Sequence, residues 1–315
     1  MTKTSIIITS YNQGDYICSA IESALEQTIP PIEVIVVDDG SSDGTQQLVL
    51  NRFSKSIVFL SQDRRGPSAA INIAMSQAVG EYIALLGGDD ICLPNRLERQ
   101  CQYLESESFD LVFCKPFLIN TAGNLLADDS FPIFFGALKP PSFKELFSNG
   151  NILCAPSAFM RRKVLTSTGY FKTRLIQLQD YDYWLRAIAC GHRIGIDDER
   201  VIYYRRHYHN LSRKASSLAI DVEMGLVASQ IIDCPEYSCL FRECYVNCIP
   251  PSSDTNKSLT EFDKILILLG HSSKGVRAAG IARALKLLED NNAMGELRSF
   301  KVDLVRLISN SLEGL

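Results

Sequence analysis

Long apolar runs and C-x-x-C cysteine pairs are both missing from this 315-residue sequence. A run such as Ile265-Leu-Ile-Leu-Leu269 is far shorter than the roughly 18 residues that a membrane-spanning helix needs. The ten cysteines are scattered without a C-x-x-C pair, and no signal peptide is evident. We therefore expect free thiols in a reducing compartment, the cytoplasm.

Positive charge is not in excess either. The chain has 32 basic and 36 acidic residues, a net charge of −4 and a pI of about 5.7. Such a chain has no overall basic field to attract nucleic acid, so nucleic acid is not an expected partner. The apolar content of 46% is ordinary for a globular protein, and the length allows one large domain or two.

Two segments near the N-terminus have the pattern of strands buried on both faces of a parallel sheet. Ser5-Ile-Ile-Ile-Thr-Ser-Tyr-Asn12 and Glu33-Val-Ile-Val-Val-Asp-Asp-Gly-Ser-Ser-Asp-Gly-Thr45 each begin with β-branched apolar residues and end in polar ones. Residues 16–27, between them, carry apolar side chains at helical spacing. The three segments predict a β–α–β unit whose polar strand ends meet at one sheet edge, where open α/β sheets bind ligands.

The loop after the first predicted strand has no glycine-rich phosphate-binding pattern. Neither G-x-G-x-x-G nor G-x-x-x-x-G-K-[ST] is present, which argues against a dinucleotide fold or a P-loop. The sheet edge offers instead an aromatic ring, Tyr11, and two carboxylates, Asp38 and Asp39. Carboxylates suit ribose hydroxyls or base N–H groups but repel phosphate. A nucleoside diphosphate bound here needs a cation, for which a divalent metal is the obvious candidate.

The alternation of strands and helices continues to about residue 212. Further strands are predicted at residues 57–60, 81–86, 109–113, 154–160 and 201–205, and helices at 66–80, 94–105 and 180–190. Residues 120–147 are expected to form loops with one short helix, in a region where an acceptor is usually held. Beyond them the pattern is helical, at 218–232, 236–248, 259–269, 276–290 and 297–312.

The N-terminal motifs resemble those of the inverting glycosyltransferases of family 2, which have the GT-A fold. The resemblance rests on Ser5-Ile-Ile-Ile-Thr-Ser-Tyr-Asn12, on Val36-Val-Asp-Asp-Gly-Ser-Ser-Asp-Gly-Thr45 and on later motifs in the expected order. It implies an α/β fold of GT-A type, with a mostly parallel sheet flanked by helices and a helical C-terminal extension. The implied division is a nucleotide-sugar-binding half at 1–105, an acceptor-binding and catalytic half at 106–212, and the helical extension at 213–315.

The resemblance also implies a donor site. Thr9, Tyr11 and Asp39 match positions that line the base pocket of the donor nucleotide, and Arg64 falls in a further segment on the nucleotide side. Asp89 lies in the D-x-D region, which binds the metal and the ribose in this family.

The D-x-D region departs from the common D-A-D-D form. Gly87 stands in place of the first acidic residue, so Asp89 and Asp90 remain. His207 in Tyr204-Arg-Arg-His207 matches a histidine that approaches the metal or the diphosphate. The resemblance thus implies a Mn²⁺ or Mg²⁺ site at Asp89, Asp90 and His207, and oxygen ligands with one imidazole suit these ions. A plain Gly-Gly-Asp-Asp turn is the alternative.

Two arginines precede His207 in the same motif. Arg205 and Arg206 are candidates to offset phosphate charge, with a solvated basic loop as the alternative.

The segment Gln179-Asp-Tyr-Asp-Tyr-Trp-Leu-Arg186 resembles the E-D motif of the family, with Gln179 in the Glu position. Asp180 then matches the catalytic base, which accepts a proton from the acceptor hydroxyl as that oxygen attacks the anomeric carbon. The alternative role for Asp180 is a helix N-cap, a position that aspartate favours. Trp184 is expected in the core because Leu185 and Ile188 share its helix.

These features predict a metal-dependent inverting glycosyltransferase that moves a single sugar from a nucleoside diphosphate sugar to a hydroxyl acceptor. A UDP-sugar is the favoured donor, and a saccharide or lipid-linked saccharide is the expected acceptor. The implied context is cell-surface polysaccharide or glycolipid biosynthesis, by a cytoplasmic enzyme that is soluble or peripheral at the inner face of the plasma membrane. The Q-x-x-R-W motif of processive polymerases is absent, which favours transfer of one sugar.

Two alternatives remain open at this point. One is a nucleotidyltransferase that makes the activated sugar, although its usual Gly- and Arg-rich loop is missing after the first strand. The other is a catalytically inactive nucleotide- or glycan-binding protein, which Gly87 suggests and the retention of Asp89 and Asp180 opposes. The oligomeric state also stays open.

Overall fold

The computed structural model describes residues 3–134, 139–214, 216–249, 258–289 and 308–309. The chain forms two compact units. The first comprises Met1–Ser142 and Asn151–Lys214, and the second comprises Phe143–Gly150 and Ala215–Leu315. The helical C-terminal part therefore shares its unit with an eight-residue segment that the sequence places in the acceptor half.

The secondary structure alternates through the first unit and is helical in the second. The strands are β1 Thr4–Ser10, β2 Glu33–Asp38, β3 Val58–Ser61, β4 Tyr82–Gly87, β5 Ile91–Cys92, β6 Leu111–Cys114, β7 Phe117–Ile119, β8 Leu125–Leu126, β9 Phe159–Arg161, β10 Ile194–Asp197 and β11 Ile202–Arg205. The helices are α1 Ile17–Leu25, α2 Thr45–Phe53, α3 Pro67–Gln77, α4 Arg96–Ser106, α5 Phe143–Asn149, α6 Arg162–Thr168, α7 Gln179–Ala189, α8 Leu211–Lys214, α9 Ser217–Ile232, α10 Ser238–Cys244, α11 Glu261–Leu269 and α12 Lys274–Glu289.

The main sheet has the strand order β10-β6-β9-β4-β1-β2-β3. β1 pairs in parallel with β2 on one side and with β4 on the other, whereas β9 is antiparallel to both β4 and β6. A smaller sheet has the order β5-β11-β7-β8. The expected mostly parallel sheet is confirmed, and the carboxyl ends of β1, β2 and β4 lie at one edge of it.

The core of the first unit follows from the apolar strand sequences. Ile6, Ile7 and Ile8 on β1 are buried because helices cover both faces of a parallel sheet. Helix α1 turns Ile17, Ala20, Ile21 and Ala24 into the same core, as its 3.6-residue spacing predicts. The predicted β–α–β unit is present, and it fixes where the polar strand ends emerge.

Several local predictions differ from the structure. Residues 154–160 were expected to form one strand, but a 3₁₀ turn at Ala155–Ser157 precedes the short strand β9. Pro156 explains the turn, because proline fits the first residues of a helical turn and cannot donate to a sheet. The helix expected at 236–248 covers only Ser238–Cys244. The helix expected at 297–312 lies outside the described residues, apart from Ile308 and Ser309.

The second unit is built around aromatic side chains of α5. Phe143 and Phe147 are buried there, and both rings contact Phe241 of α10 edge-on. The buried His271 ring also packs edge-on against Phe147, and its Nε2 donates to the Phe147 carbonyl oxygen at 2.6 Å. Helix α5 is thus an integral part of the helical unit.

The helices of the second unit are regular but short. A capping box between Thr260 and Asp263 begins α11. Helices α9 and α12 approach closely at Gly225. A Cβ at this position would lie only 2.7 Å from the Gly275 carbonyl oxygen. Throughout the described ranges, each helix falls short of the length and apolar character required to traverse a bilayer.

Candidate active site

The loops after β1 and β2 are tied together at the edge of the main sheet. Asn12 has a left-handed backbone (φ +51), a conformation that asparagine tolerates. Its side-chain oxygen accepts the Ser42 N–H at 2.8 Å, and its own N–H donates to Ser41 Oγ at 2.8 Å. Thr9 lies on β1 beside Val37 and Gly87, and its carbonyl oxygen accepts the Gly88 N–H at 3.0 Å. The three strand ends therefore form one continuous surface.

Asp38 and Asp39 at the end of β2 have different roles. Asp38 accepts hydrogen bonds from the Ser41 N–H at 2.8 Å and from Gln46 Nε2 at 2.7 Å, so it shapes its own turn. Asp39 accepts from Gln62 Nε2 at 2.6 Å and from the N–H groups of Arg65 and Gly66 at 2.8 and 2.9 Å. Asp39 therefore holds the segment before α3 against the end of β2.

Tyr11 and Arg64 meet at the same edge. The Tyr11 ring is partly exposed, and the guanidinium carbon of Arg64 lies 4.6 Å from its centre. This distance corresponds to a cation–π contact. The two side chains border the loop that Asp39 holds, so three of the predicted donor-site residues come together.

Asp89 and His207 are brought into direct contact although 118 residues separate them. His207 Nε2 lies 2.8 Å from Asp89 Oδ2, and both side chains are buried. His207 Nδ1 accepts the His209 N–H at 3.2 Å, which leaves Nε2 as the ring nitrogen that donates to Asp89. Asn210 Nδ2 donates to the same Asp89 oxygen at 3.2 Å, which fixes the carboxylate from a second side.

Asp90, the next residue, has a different hydrogen-bond partner. Its Oδ1 accepts the Arg205 N–H at 3.0 Å, and the side chain is almost completely buried. Burial and the neighbouring Asp89 carboxylate raise the pKa of Asp90 well above its usual range. Asp90 therefore joins β4 to β11, while Asp89 contacts the histidine.

Gly87 is enclosed by these two carboxylates. A Cβ added to Gly87 would lie 2.6 Å from Asp90 Oδ2 and 2.7 Å from Asp89 Oδ1. The carboxylates of Asp89 and Asp90 thus occupy the space that the side chain of an acidic residue at position 87 would need. In the part of the chain that is described, no three His, Cys, Asp or Glu side chains are arranged to hold a metal ion.

The two arginines before His207 have separate environments. Arg205 is buried, and its guanidinium donates to the Asp89 carbonyl oxygen at 2.9 Å and to the carbonyl oxygens of Asn120 and Thr121. Arg206 stacks on the Phe131 ring at 3.8 Å. The Arg205 guanidinium therefore binds backbone carbonyl oxygens and is not part of a solvated basic loop.

Asp180 is the second residue of α7, and the N-cap of that helix is Leu178. Asp180 is therefore not the cap, although a carboxylate in the first helical turn is favoured by the helix dipole. Its Oδ2 accepts a hydrogen bond from Asn151 Nδ2 at 2.8 Å, and its Oδ1 accepts the Tyr181 N–H at 2.8 Å. Trp184, on the same helix, is fully buried, as the sequence predicts.

Three residues of this region carried no signal that we recognised in the sequence. Asn151 contacts Asp180, and Asn210 contacts Asp89. Arg96 is completely buried and donates to the Leu85 carbonyl oxygen of β4 at 2.7 Å. Asparagine in loops and arginine at a helix start are common, so only the fold shows what these three side chains contact.

A family model for glycosyl transferase family 2 matches residues 5–169 of the chain. This match covers both strand-end motifs and the Asp89–Asp90 turn, and it extends over more than half of the sequence. The chain belongs to glycosyl transferase family 2. Individual family members with similar sequences include archaeal and bacterial proteins.

An uncharacterized glycosyltransferase of Methanocaldococcus jannaschii is 32% identical over 212 residues, which cover 64% of this chain and 70% of the relative. The Escherichia coli UDP-Glc:alpha-D-GlcNAc-diphosphoundecaprenol beta-1,3-glucosyltransferase WfaP is 28% identical over 67% of this chain and 80% of its own length. Some relatives are much longer: a Rickettsia conorii protein is matched over only 36% of its length.

Solved structures support the GT-A fold. S. aureus TarS 1-349 in complex with UDP-GlcNAc has a TM-score of 0.61 at 20% identity, covering 99% of this chain and 92% of that one. The mannosyltransferase PcManGT from Pyrobaculum calidifontis, in complex with GDP-Man and Mn²⁺, has a TM-score of 0.56 at 15% identity, covering 99% of this chain and 87% of that one. At these identities the similarity concerns the fold alone.

Proposed function

We propose that this protein is an inverting glycosyltransferase that moves one sugar from a nucleoside diphosphate sugar to a hydroxyl of an acceptor. The observation that carries the proposal is the contact between Asp89 and His207 at the end of β4. A carboxylate and an imidazole meet beside the loops of Tyr11 and Asp39, at an edge without a glycine-rich phosphate cradle. Family membership supports transfer over synthesis of the activated sugar.

The donor nucleotide is proposed to bind at Thr9, Tyr11, Asp39, Arg64 and Asp89. The Tyr11 ring offers a face for the base, and the Asp39 carboxylate suits a base N–H or a ribose hydroxyl. Arg64 lies over Tyr11 and has to move aside if the base stacks on that ring. A UDP-sugar is our first choice, and the UDP-GlcNAc complex of TarS is consistent with it at the level of the fold.

Asp180 is the proposed catalytic base. It accepts the proton of the acceptor hydroxyl while the acceptor oxygen attacks the anomeric carbon from the face opposite the diphosphate. The bond from the anomeric carbon to the diphosphate oxygen breaks, and the nucleoside diphosphate leaves with the electron pair. The new glycosidic bond therefore has inverted configuration, and no covalent enzyme intermediate forms.

Asp89, Asp90 and His207 are the proposed ligands of a divalent cation, because two adjacent carboxylates and an imidazole offer the oxygen and nitrogen donors that such an ion takes. Mn²⁺ or Mg²⁺ commonly takes one or two carboxylates from the protein and its remaining ligands from substrate phosphates and water. Such an ion, when bound, neutralises the negative charge of the departing diphosphate. For His207 Nε2 to act as a ligand, the ring proton has to move to Nδ1, so the contact with the His209 N–H has to break.

The acceptor is proposed to be a saccharide or a lipid-linked saccharide in the assembly of a cell-surface polysaccharide or glycolipid. The relatives WfaP and the putative teichuronic acid biosynthesis glycosyltransferase TuaG of Bacillus subtilis support this context. We place the reaction in the cytoplasm, with peripheral binding at the inner face of the plasma membrane as part of the proposal.

The proposal is tested by release of nucleoside diphosphate from UDP-glucose, UDP-N-acetylglucosamine and GDP-mannose, with and without Mn²⁺, using water and an undecaprenyl-diphosphate-linked saccharide as acceptors. We expect one donor to react and EDTA to stop the reaction. In Asp180→Asn the rate should fall about 10²- to 10⁴-fold. The donor affinity of this variant, measured by calorimetry, should stay within about twofold, because ligand binding to the folded state does not use the base.

Three results would redirect the assignment. Binding of a nucleotide sugar without turnover of any of the three donors would favour an inactive nucleotide- or glycan-binding protein. Turnover of Asp180→Asn at the wild-type rate would remove Asp180 from the role of base. Full activity in EDTA would exclude the metal.

A further inference from the structure

Asn151 contacts the Asp180 carboxylate in an orientation that is fixed at both ends of its amide. Its Nδ2 donates to Asp180 Oδ2 at 2.8 Å, and its Oδ1 accepts the Leu153 N–H at 3.1 Å. Because the Leu153 N–H needs an acceptor, the oxygen must face Leu153 and the amino group must face Asp180. The contact with Asp180 is therefore a donated hydrogen bond.

The carboxylate plane of Asp180 depends on such contacts. The terminal torsion of an aspartate side chain is broad, so packing around Cβ alone does not define where its oxygens lie. In this protein the Tyr181 N–H holds Oδ1, and Asn151 holds Oδ2. These two donated hydrogen bonds restrict the direction in which the carboxylate faces.

We propose that Asn151 is a positioning residue for Asp180, an inference that rests on Asp180 being the base in the proposed function. A general base must lie within hydrogen-bond reach of the proton that it abstracts, so a rotated carboxylate is a poorer base. The donated hydrogen bond also favours the ionised form of the carboxylate, which is the form that accepts a proton. Asn151 therefore acts on turnover rather than on donor binding.

The charges around Asp180 are compatible with this role. Its chain neighbours Gln179 and Tyr181 are neutral, and Asn151 is neutral as well. Asp182, one residue further along α7, is fully buried and paired with Lys172 at 2.9 Å and with Arg186 at 2.8 Å. Asp182 therefore does not place an unpaired carboxylate beside Asp180, whereas replacing Asn151 with aspartate would add a carboxylate there.

The test compares Asn151→Ala and Asn151→Asp with wild type, using Mn²⁺ and whichever of UDP-glucose, UDP-N-acetylglucosamine and GDP-mannose reacts fastest. Loss of a hydrogen bond to a charged group should lower the kcat of Asn151→Ala about 10- to 100-fold. The donor KM should stay within about twofold. Asn151→Asp has nearly the same size and keeps an oxygen for the Leu153 N–H, so it serves as a second test variant if Asn151→Ala misfolds.

The pH profile separates positioning from a merely structural role. Loss of the donated hydrogen bond in Asn151→Ala raises the pKa of Asp180, and the like charge in Asn151→Asp raises it too, so the acid limb of kcat/KM should move to higher pH in both variants. A structural role would lower the melting temperature and leave that limb unchanged. Asn95→Ala is the matched control, because Asn95 Nδ2 also contacts a carboxylate oxygen, Glu199 Oε1 at 3.4 Å, but away from Asp180.

The outcomes distinguish this inference from the proposed function. An inactive Asp180→Asn together with a fully active Asn151→Ala would overturn the role of Asn151 alone. An active Asp180→Asn variant would show that Asp180 is not the base, which would overturn that part of the proposed function. A raised donor KM with unchanged kcat in Asn151→Ala, or an unmoved acid limb in Asn151→Asp, would also contradict positioning.

Discussion

The guanidinium of Arg64 lies over the ring of Tyr11, with 4.6 Å between the guanidinium carbon and the ring centre. The ring face proposed for the base is therefore covered by a side chain that is itself exposed and able to move. Arg64 lies in the segment that Asp39 holds, between Gln62 and Arg65, so the two residues belong to the same edge of the sheet.

We expect Tyr11→Ala to weaken nucleotide binding about tenfold, because stacking of a base on an aromatic ring contributes about 1–3 kcal/mol. Tyr11→Phe keeps the ring and should bind within about twofold of wild type. Calorimetry with UDP and Mn²⁺ measures both. Tyr170→Ala, at an exposed tyrosine elsewhere in the first unit, is the control. Equal affinities of the alanine variant and wild type would remove Tyr11 from the base pocket.

His207→Ala should weaken Mn²⁺ binding at least about tenfold, a loss typical of disrupted metal sites. The substitution removes the imidazole that contacts Asp89 and leaves that buried carboxylate with Asn210 as a remaining donor. Titration of Mn²⁺ in the presence of UDP measures the effect. His192→Ala is the matched control, because His192 contacts Ser167 and Asp110 instead. Similar Mn²⁺ affinities for both variants would argue against His207 as a ligand.

Gly87→Asp should not strengthen metal binding, even though it restores the acidic residue of the common motif. Its Cβ would meet Asp89 and Asp90 at 2.7 and 2.6 Å, and its charge would add to a pair in which the pKa of Asp90 is already raised. We expect a lower melting temperature and unchanged or weaker Mn²⁺ affinity. Gly87→Ala separates the steric effect from the charge. Tighter Mn²⁺ binding by Gly87→Asp would show that the site can accommodate a third carboxylate.

The second unit should lose stability on mild acidification. Burial lowers the pKa of His271, the positive charge of Arg277 lowers it further, and Nδ1 accepts the Ser273 N–H at 2.9 Å. The unfolded chain, with a histidine pKa of about 6.5, then binds a proton more readily than the folded chain. The stabilising effect is complete above about pH 6.5 and declines as the pH falls below that value towards the folded pKa.

Thermal unfolding between pH 7.5 and 5.5 measures this decline, which should be smaller in His271→Gln because glutamine does not titrate. Carboxylates with lowered pKa values, such as Asp233 beside Lys264 and Arg283, titrate at lower pH and do not contribute to the decline in stability over this pH range. An identical pH dependence in the wild type and His271→Gln would exclude His271 as the cause.

Phe147→Ala should destabilise the protein by about 3–5 kcal/mol, the usual cost of truncating a buried phenylalanine. The ring packs against Phe241 and His271, so its removal leaves a cavity at the centre of the second unit. Val246→Ala, at a largely exposed position of the same unit, should change stability by less than about 0.5 kcal/mol. Urea unfolding of the full chain compares the two, and equal losses would show that α5 is not part of this core.

The sequence predicts the sheet edge well because its strands are buried on both faces. The apolar runs of β1, β2 and β4 can fold in few other ways, and the polar residues that follow them must emerge together. The first helix, the third strand and helices α7, α9 and α12 are also recovered within a few residues. Their periodicity is set by local sequence.

Other features depend on partners that are distant in the chain. Adjacent residues Asp89 and Asp90 look alike in the sequence, but only Asp89 contacts His207. Nothing near Asn151 indicates that its amide meets Asp180, because that contact depends on the path of a loop. Likewise, the aromatic residues of α5 indicate burial without indicating Phe241 and His271 as the partners.

The assignment of α5 to the helical unit has a consequence for the order of events during synthesis. The Phe147 carbonyl oxygen and His271 are 124 residues apart. At translation rates of about 5–20 residues per second, the nascent chain carries α5 for roughly 6–25 s before His271 has been made. During that interval Phe147 lacks its native contact with His271, and for most of it both Phe143 and Phe147 lack Phe241. A chaperone that binds exposed aromatic segments would therefore find its site between the two stretches of chain that make up the first unit.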